Sequence, residues 1–303
     1  MPLDTTTHAG PRAEVATGKT LACVTMAYNE ADMLPLWLRH YGRQVGTEAC
    51  YVIDHGSNDG STAALQGANR VRIPRSALDN PRRAAFVGEF CASLLRWYDY
   101  VLYTDADEML VPDPARWRGL ADYVNGPRAA VTTAFGLNLV HRLHHEGPLD
   151  PTQPVLAQRR WAFPAASMCK PVLIRDRVAW SPGFHSSDAP IEFDGLFLFH
   201  LAYADLRTAL RRQEKRRRTE KRTADTALHH RVDDETVQGW MDGWAHMPIQ
   251  DGVTLDASCL AMAEFQNRVV RSARERKGET FGIDLEIVGD RLWPVPMSFW
   301  NAL

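Results

Sequence analysis

The stretch Tyr100-Val101-Leu102-Tyr103-Thr104-Asp105-Ala106-Asp107-Glu108-Met109-Leu110 decides how the chain folds. Val101, Leu102 and Tyr103 have the apolar character of a short buried strand. The strand runs into three carboxylates, Asp105, Asp107 and Glu108. Residues two apart on an extended segment point to one side. Asp105 and Asp107 therefore face one site together, and the small Ala106 turns away. Adjacent carboxylates repel each other unless a cation or a donor sits between them. Hard oxygen ligands suit Mg²⁺ or Mn²⁺, ions that substrate phosphates often complete. A bare Asp-x-Asp also fits an ordinary polar loop after a strand, so the surrounding sequence has to decide.

Working outward, residues 82–97 show apolar Phe86, Phe90 and Leu94 every four positions, with Val87, Cys91 and Leu95 beside them, which predicts a helix leading into the acidic strand. Arg82 and Arg83 stand at its start, where cations are unfavourable and an anionic partner is invited. Residues 20–27 predict a buried strand that ends at Tyr28-Asn29-Glu30. Met33, Leu34, Trp37, Leu38 and Tyr41 then mark one face of a helix, which Gly46 ends. Residues 49–53 predict a second strand, running into Asp54-His55-Gly56-Ser57-Asn58-Asp59-Gly60-Ser61-Thr62. Glycine there allows a tight turn and close approach of a ligand to backbone. Residues 71–73 form a short third strand. Strand and helix thus alternate four times, which predicts an α/β fold: a Rossmann-like, mostly parallel sheet flanked by helices. Ligands of such sheets sit at the carboxyl ends of the strands. Three polar clusters at one edge would build one site.

Composition narrows the classes. At 303 residues the chain can bury a large core. A net charge of −2 leaves no basic excess to suggest nucleic acid. Cys23, Cys50, Cys91, Cys169 and Cys259 are scattered and lack Cys-x-x-Cys spacing. This argues against a disulfide framework and for a reducing compartment. No apolar run is long enough to span a bilayer, and the expected location is cytoplasmic. The organisation expected is a disordered tail over residues 1–18, a catalytic domain over 19–205, and a basic helix with a helical C-terminal appendage over 206–303.

Together, Met26 to Glu30, Val52 to Thr62 and Thr104 to Leu110 resemble, in order and spacing, the family 2 type of nucleotide-sugar glycosyltransferases with the GT-A fold. The Asp-x-Asp-Glu form is similar to a family 92-like subgroup. The resemblance covers residues 20–112 well and the remainder thinly. It implies a metal-dependent transfer from a nucleoside-diphosphate sugar, a UDP-sugar first, to a hydroxyl of a glycan, lipid or other small molecule. Tyr28 and Glu30 would lie against base and ribose, and Asp54 would contact the nucleoside. Asp105 would meet the ribose or the metal, Asp107 would hold the metal, and Arg83 would reach the diphosphate.

In the second half, residues 131–135, 169–175 and 196–199 predict further strands. The last ends at His200, which resembles the third metal ligand of several GT-A enzymes. A His and two Asp around one ion favour Mn²⁺ over Mg²⁺. A satisfied core histidine is the equal alternative. An inverting transferase needs a general base. The usual Glu-Asp pair and the Gln-x-x-Arg-Trp motif of processive members are absent, which leaves Asp188 first and His185 second as candidates. From Leu206 the chain is strongly basic, with Arg207, Arg211, Arg212, Lys215, Arg216, Arg217, Arg218, Lys221 and Arg222. A solvated helix face accounts for this. Contact with anionic lipid headgroups, making the protein peripheral at a membrane, or with a phosphorylated acceptor is the sharper expectation. Trp240, Trp244, Trp293 and Trp300 imply packing on the main domain or on a second copy in a homo-oligomer. A Rossmann-type methyltransferase and a non-catalytic sugar-nucleotide-binding module are the rival classes.

Overall fold

The computed structural model describes residues 18–220, 231–275 and 282–303. The N-terminal tail expected over residues 1–18, apart from Gly18, lies outside the described residues, as do Lys221 and Arg222. The protein is a mixed α/β structure with a central ten-stranded sheet and helices packed against it.

The first half follows the expected alternation. Strand β1 (Leu21–Ala27) is buried along nearly its whole length, the pattern of a strand covered on both faces. Helix α1 (Leu34–Val45) buries Leu34, Trp37, Leu38 and Tyr41, and stops where Gly46 takes φ 86°. Strands β2 (Cys50–Asp54) and β3 (Asn69–Arg72), helix α2 (Asn80–Leu94) and strand β4 (Tyr100–Tyr103) follow. Asp79 caps α2 by accepting from Arg82 N. Strands β4, β1, β2 and β3 are adjacent and parallel, so their carboxyl ends share one edge.

The second half is largely antiparallel. It contains β5 (Glu108–Pro112), α3 (Leu120–Asn125), β6 (Val131–Leu139), α4 (Val155–Gln158), β7 (Trp161–Pro164), β8 (Pro171–Ile174) and β9 (Phe193–His200). Helices α5 (Leu206–Arg218), α6 (Asp234–Ala245) and α7 (Leu260–Glu275) come next, then strand β10 (Trp293–Pro294). Strand β8 joins the two halves by pairing with β4 and β6. Strand β9 pairs with β5 in a register that sets His200 opposite Glu108.

The C-terminal region is not separate from the sheet. Trp293 in β10 pairs with Ala162 and stacks on Phe135, ring centroids 5.8 Å apart. Phe299 and Leu303 are buried in the main core. The aromatic tail thus packs on the same chain. Among the described residues no helix is long and apolar enough to cross a membrane.

Candidate active site

The loop beyond β4 is held by α1. The Trp37 indole donates to Thr104 Oγ1 at 2.9 Å, and Tyr41 Oη donates to the Glu108 carbonyl at 3.1 Å. Leu110 N in turn donates to Tyr41 Oη at 2.9 Å. Both rings are fully buried. The apolar face of one helix therefore fixes the backbone on which Asp105, Asp107 and Glu108 stand.

A second tie joins the loops after β1 and β2. Asn29 adopts φ 55°, a left-handed conformation that asparagine tolerates better than most residues. Its Oδ1 accepts from Asn58 N at 2.9 Å, and its Nδ2 donates to Asn58 Oδ1 at 2.9 Å. The turn of Glu30 toward the sheet edge is set by this clasp.

Between these loops lies a cavity of about 210 Å³. Its walls are Met26 to Tyr28 and Glu30 from the end of β1, and Asp105 to Asp107 from the end of β4. His55, Arg75, Leu78 and Arg83 close one side, and Arg212, Lys215, Arg216 and Thr219, on or just beyond α5, close the other. An apolar recess of about 310 Å³ adjoins it, sharing Met26, His55, Arg75, Leu78 and Arg83.

Each carboxylate has cationic company. Asp105 Oδ1 accepts from Arg83 and, at 3.2 Å, from the Tyr103 hydroxyl. Lys170 lies 3.3 Å from Asp105 Oδ2 and 2.5 Å from Glu108 Oε1. Arg212 donates to Glu30 and, at 2.6 Å, to Asp107 Oδ2. Arg216 stands 3.5 Å from that same oxygen. Lys215 donates to Glu30 Oε1 at 2.6 Å and to the Asn29 carbonyl at 2.8 Å. Burial raises the pKa of Asp105 and of Asp107, but Arg83 and Lys170 pull the first below the carboxylate range and Arg212, His200 and Arg216 pull the second well below it. Burial lowers Lys170, yet Glu108 and Asp105 hold it above the ordinary lysine range. Glu108 moves the other way, because burial raises its pKa ahead of the opposing pull of Lys170.

The expected residues divide into those the fold gathers and those it does not. Tyr28, Glu30, Arg83, Asp105 and Asp107 all line the cavity. His200 stands directly behind Asp107, its Nε2 3.5 Å from Asp107 Oδ2. The His200 Nδ1 contacts Asn138 Oδ1 at 2.7 Å, which orients the ring. Asp54 stands apart from the cavity. It is fully enclosed, accepting from Arg70 at 2.6 Å, Arg72 at 3.0 Å, Ser57 N at 2.7 Å and the Thr62 hydroxyl at 3.1 Å, and it does not line the cavity. The reason is β3, whose parallel pairing brings two arginines alongside β2.

The two candidate bases are also elsewhere. Asp188 is exposed and accepts from Ala179 N at 2.9 Å, closing its own loop. His185 contacts the Ser167 carbonyl through Nδ1 at 2.7 Å and lines a separate small cleft with Thr133 and Cys169. Neither lines the cavity.

For a metal ion, donor atoms of Asp107, Glu108 and His200 lie within 4.8 Å of one another. Two carboxylates and an imidazole are a set that Mn²⁺ accepts. Asp105 is not in this group; Arg83, Tyr103 and Lys170 hold it instead. A second, exposed group is His144, Asp242 and His246.

The chain matches no protein-family model and no curated protein. It is similar in part to solved structures. One is the mannosyltransferase PcManGT from Pyrobaculum calidifontis in complex with GDP-Man and Mn²⁺, at 16% identity and a TM-score of 0.28, over 42% of this chain and 37% of that one. Another is glucosyl-3-phosphoglycerate synthase from Mycobacterium tuberculosis in complex with Mn²⁺, UDP and glucosyl-3-phosphoglycerate, at 20% identity and 0.28, over 39% and 44%. A mycobacterial protein matches at 20% identity and 0.29, over 40% and 42%. The overlap spans less than half the length of each of these proteins.

Lys170, Arg75 and the α5 cations escaped the sequence reading as site residues. For α5 a signal existed: Arg212, Lys215, Arg216 and Thr219 follow the three- and four-residue spacing of one helix face. For Lys170 and Arg75 no local pattern marks them.

Proposed function

We propose that this chain is a metal-dependent glycosyltransferase of the family 2 type, with the Asp-x-Asp-Glu run as its metal-side motif. It moves a sugar from a nucleoside-diphosphate sugar, a UDP-sugar first, to an acceptor hydroxyl. The observation that carries this reading is one cavity at the carboxyl edge of parallel β1 and β4. There Glu30 and Asp107 face a wall of arginine and lysine, and His200 stands behind Asp107.

Asp107 and His200, with Glu108 behind them, would hold Mn²⁺ or Mg²⁺. Such an ion supplies neutralisation of the charge that develops on a leaving nucleoside diphosphate. The chain's own residues do the rest. Arg75 lies over the Tyr28 ring at 3.7 Å, a cationic and aromatic surface suited to a nucleobase or ribose. Arg83, anchored by Asp105, presents a fixed positive charge at the helix start. An apolar recess, with Ile73, Pro74, Leu78 and Phe86 in its lining, adjoins Arg83 on that side of the site.

Neither expected base lines the cavity, and this favours one second reading: a protein that binds a sugar nucleotide without turning it over. A Rossmann-type methyltransferase has no use for this ionic cluster. Calorimetry with UDP decides the main point. Mn²⁺ should tighten UDP binding in the native protein and should not do so in Asp107→Ala. UDP affinity indifferent to Mn²⁺ in both would sink the metal-dependent reading. Release of sugar from a UDP-sugar, even slow and without acceptor, separates an enzyme from a binding module.

A further inference from the structure

His144, Asp242 and His246 meet on the surface and share no residue with the cavity. Asp242 lies in the last turn of α6, and His246, one helical turn on, caps that helix. The two therefore stand on one helix face. His144 comes from the segment between β6 and α4, 98 positions away from Asp242. Asp242 Oδ1 is 3.3 Å from His144 Nε2 and 3.6 Å from His246 Nδ1. The two imidazole rings are 5.6 Å apart and tilted by 52°.

The fold brings these groups together by other means than their charge. Leu143, next to His144, packs against the cluster that holds Val237 and Met241 of α6. Trp244 of the same helix packs on Phe163 and Tyr203, ring centroids 5.4 and 5.0 Å away. The turn carrying His144 is closed by His145 N, which donates to the Arg142 carbonyl at 2.8 Å, and by Arg142 N, which donates to Glu146 Oε2 at 2.9 Å. Apolar packing thus fixes loop and helix against each other and leaves both histidines outside, with side chains 65% and 63% exposed.

We propose that His144, Asp242 and His246 bind a divalent transition-metal ion such as Zn²⁺, which staples the 141–147 segment to the end of α6. Zinc bonds to nitrogen and oxygen of about 2.0–2.2 Å place tetrahedral ligand atoms about 3.3–3.6 Å apart. The two distances from Asp242 Oδ1 fall at that spacing. The donor atoms of all three residues lie within 4.8 Å of one another, and exposed side chains can close the remaining edge. Two imidazoles with one carboxylate suit a borderline ion, whereas Mg²⁺ and Ca²⁺ prefer oxygen alone. The carboxyl end of a helix also carries partial negative charge, which favours a cation. His246 Nδ1 donates to the Asp242 carbonyl at 2.8 Å. Ligation through Nδ1 moves that proton to Nε2, a change of tautomer with no net loss of a proton. Water fills the open position. The site does not depend on the glycosyltransferase reading.

Zn²⁺ calorimetry on the whole chain tests this. The native protein should bind Zn²⁺ at micromolar concentration, and Asp107→Ala should retain that binding. His144→Ala, Asp242→Asn and His246→Ala should each weaken it by more than roughly 100-fold, because each removes a ligand. In EDTA the three variants should melt near the native temperature, since exposed ion pairs contribute little. Zn²⁺ should raise the melting temperature of the native protein and not that of the variants. Electron paramagnetic resonance of bound Cu²⁺ should show coupling to two imidazole nitrogens. The Asp107, Glu108 and His200 group offers only one. Binding only at millimolar Zn²⁺, or a Cu²⁺ signal with a single nitrogen, overturns the inference. So does Zn²⁺ binding that Asp107→Ala removes and the three surface variants keep, which would place the ion in the cavity and leave the functional reading standing. His144 and the other two residues stand on different elements, so early melting of a variant on one leaves the other to decide.

Discussion

Asp54 and Asp107 are two versions of one motif. Each is a buried carboxylate beyond or at the end of a parallel strand, and each meets two arginines, Arg70 at 2.6 Å and Arg72 at 3.0 Å in one case, Arg212 at 2.6 Å and Arg216 at 3.5 Å in the other. They differ in where the arginines come from. Arg70 and Arg72 belong to the neighbouring strand and lean out to water, with Arg72's side chain 54% exposed. Arg212 arrives from a helix more than a hundred residues away and is enclosed beside a cavity. Asp54 also takes Ser57 N and the Thr62 hydroxyl, which fills its remaining acceptor capacity. Asp107 has His200 beside it instead. The same ion-pair chemistry braces a turn in one place and borders a cavity in the other.

The comparison can be broken most sharply at Asp107. Asp107→Ala should weaken Mn²⁺ by more than roughly 100-fold if Asp107 is a ligand as proposed, and by less if it is only an outer partner. Its cost in stability should be the smaller of the two aspartates', because Glu30 still pairs with Arg212. Asp54→Ala should do the reverse. Denaturant unfolding should show a loss of about 3 kcal/mol, while UDP affinity stays within about twofold of native in the same buffer. If Asp54→Ala instead removes binding and leaves stability intact, the two roles have been exchanged.

Acid unfolding sharpens the contrast. Asp54 is held at about 2, because Ser57 N, Arg70 and Thr62 outweigh burial, so its contribution is present above the normal carboxylate pKa and is lost only as pH falls through that value. Asp107 is likewise depressed. Neither aspartate therefore titrates between pH 4 and 7. His40 does. Burial takes it from 6.5 to about 4 even though its Nε2 contacts the Leu110 carbonyl at 2.8 Å. A neutral buried histidine adds stability above the unfolded pKa and loses it as pH falls toward the folded one. About 3 kcal/mol should disappear between pH 6.5 and 4. His40→Gln should flatten this slope in pH-dependent denaturation curves. The smallest effect is expected on α5 itself. Arg218's side chain is 78% exposed and pairs with Glu214, so Arg218→Ala should change stability by less than about 0.5 kcal/mol and leave UDP binding intact.

Much of the first half was legible from local pattern. The apolar runs of β1, β2 and β4 and the faces of α1 and α2 stand in the sequence, and Gly46 marks where α1 must end. Strand β5 was not legible, because it begins with charged Glu108 and owes its burial to β9. Strands β7 and β10 were hidden too, since short segments such as Trp293-Pro294 carry no periodicity. The partners of Asp54 were not legible either, because Arg70 and Arg72 reach it only through the pairing of β3 with β2.

The sequence by itself determined the alternating strands and helices of the first half and the polar residues at their ends. Strand and helix periods are properties of neighbouring residues. Only the tertiary structure decided which charges meet. It set His200 opposite Glu108 across a β-pair, enclosed Asp54, sent Asp188 and His185 elsewhere, and swung α5 over the site. Ion pairing acts over a few ångströms in space and is blind to separation along the chain.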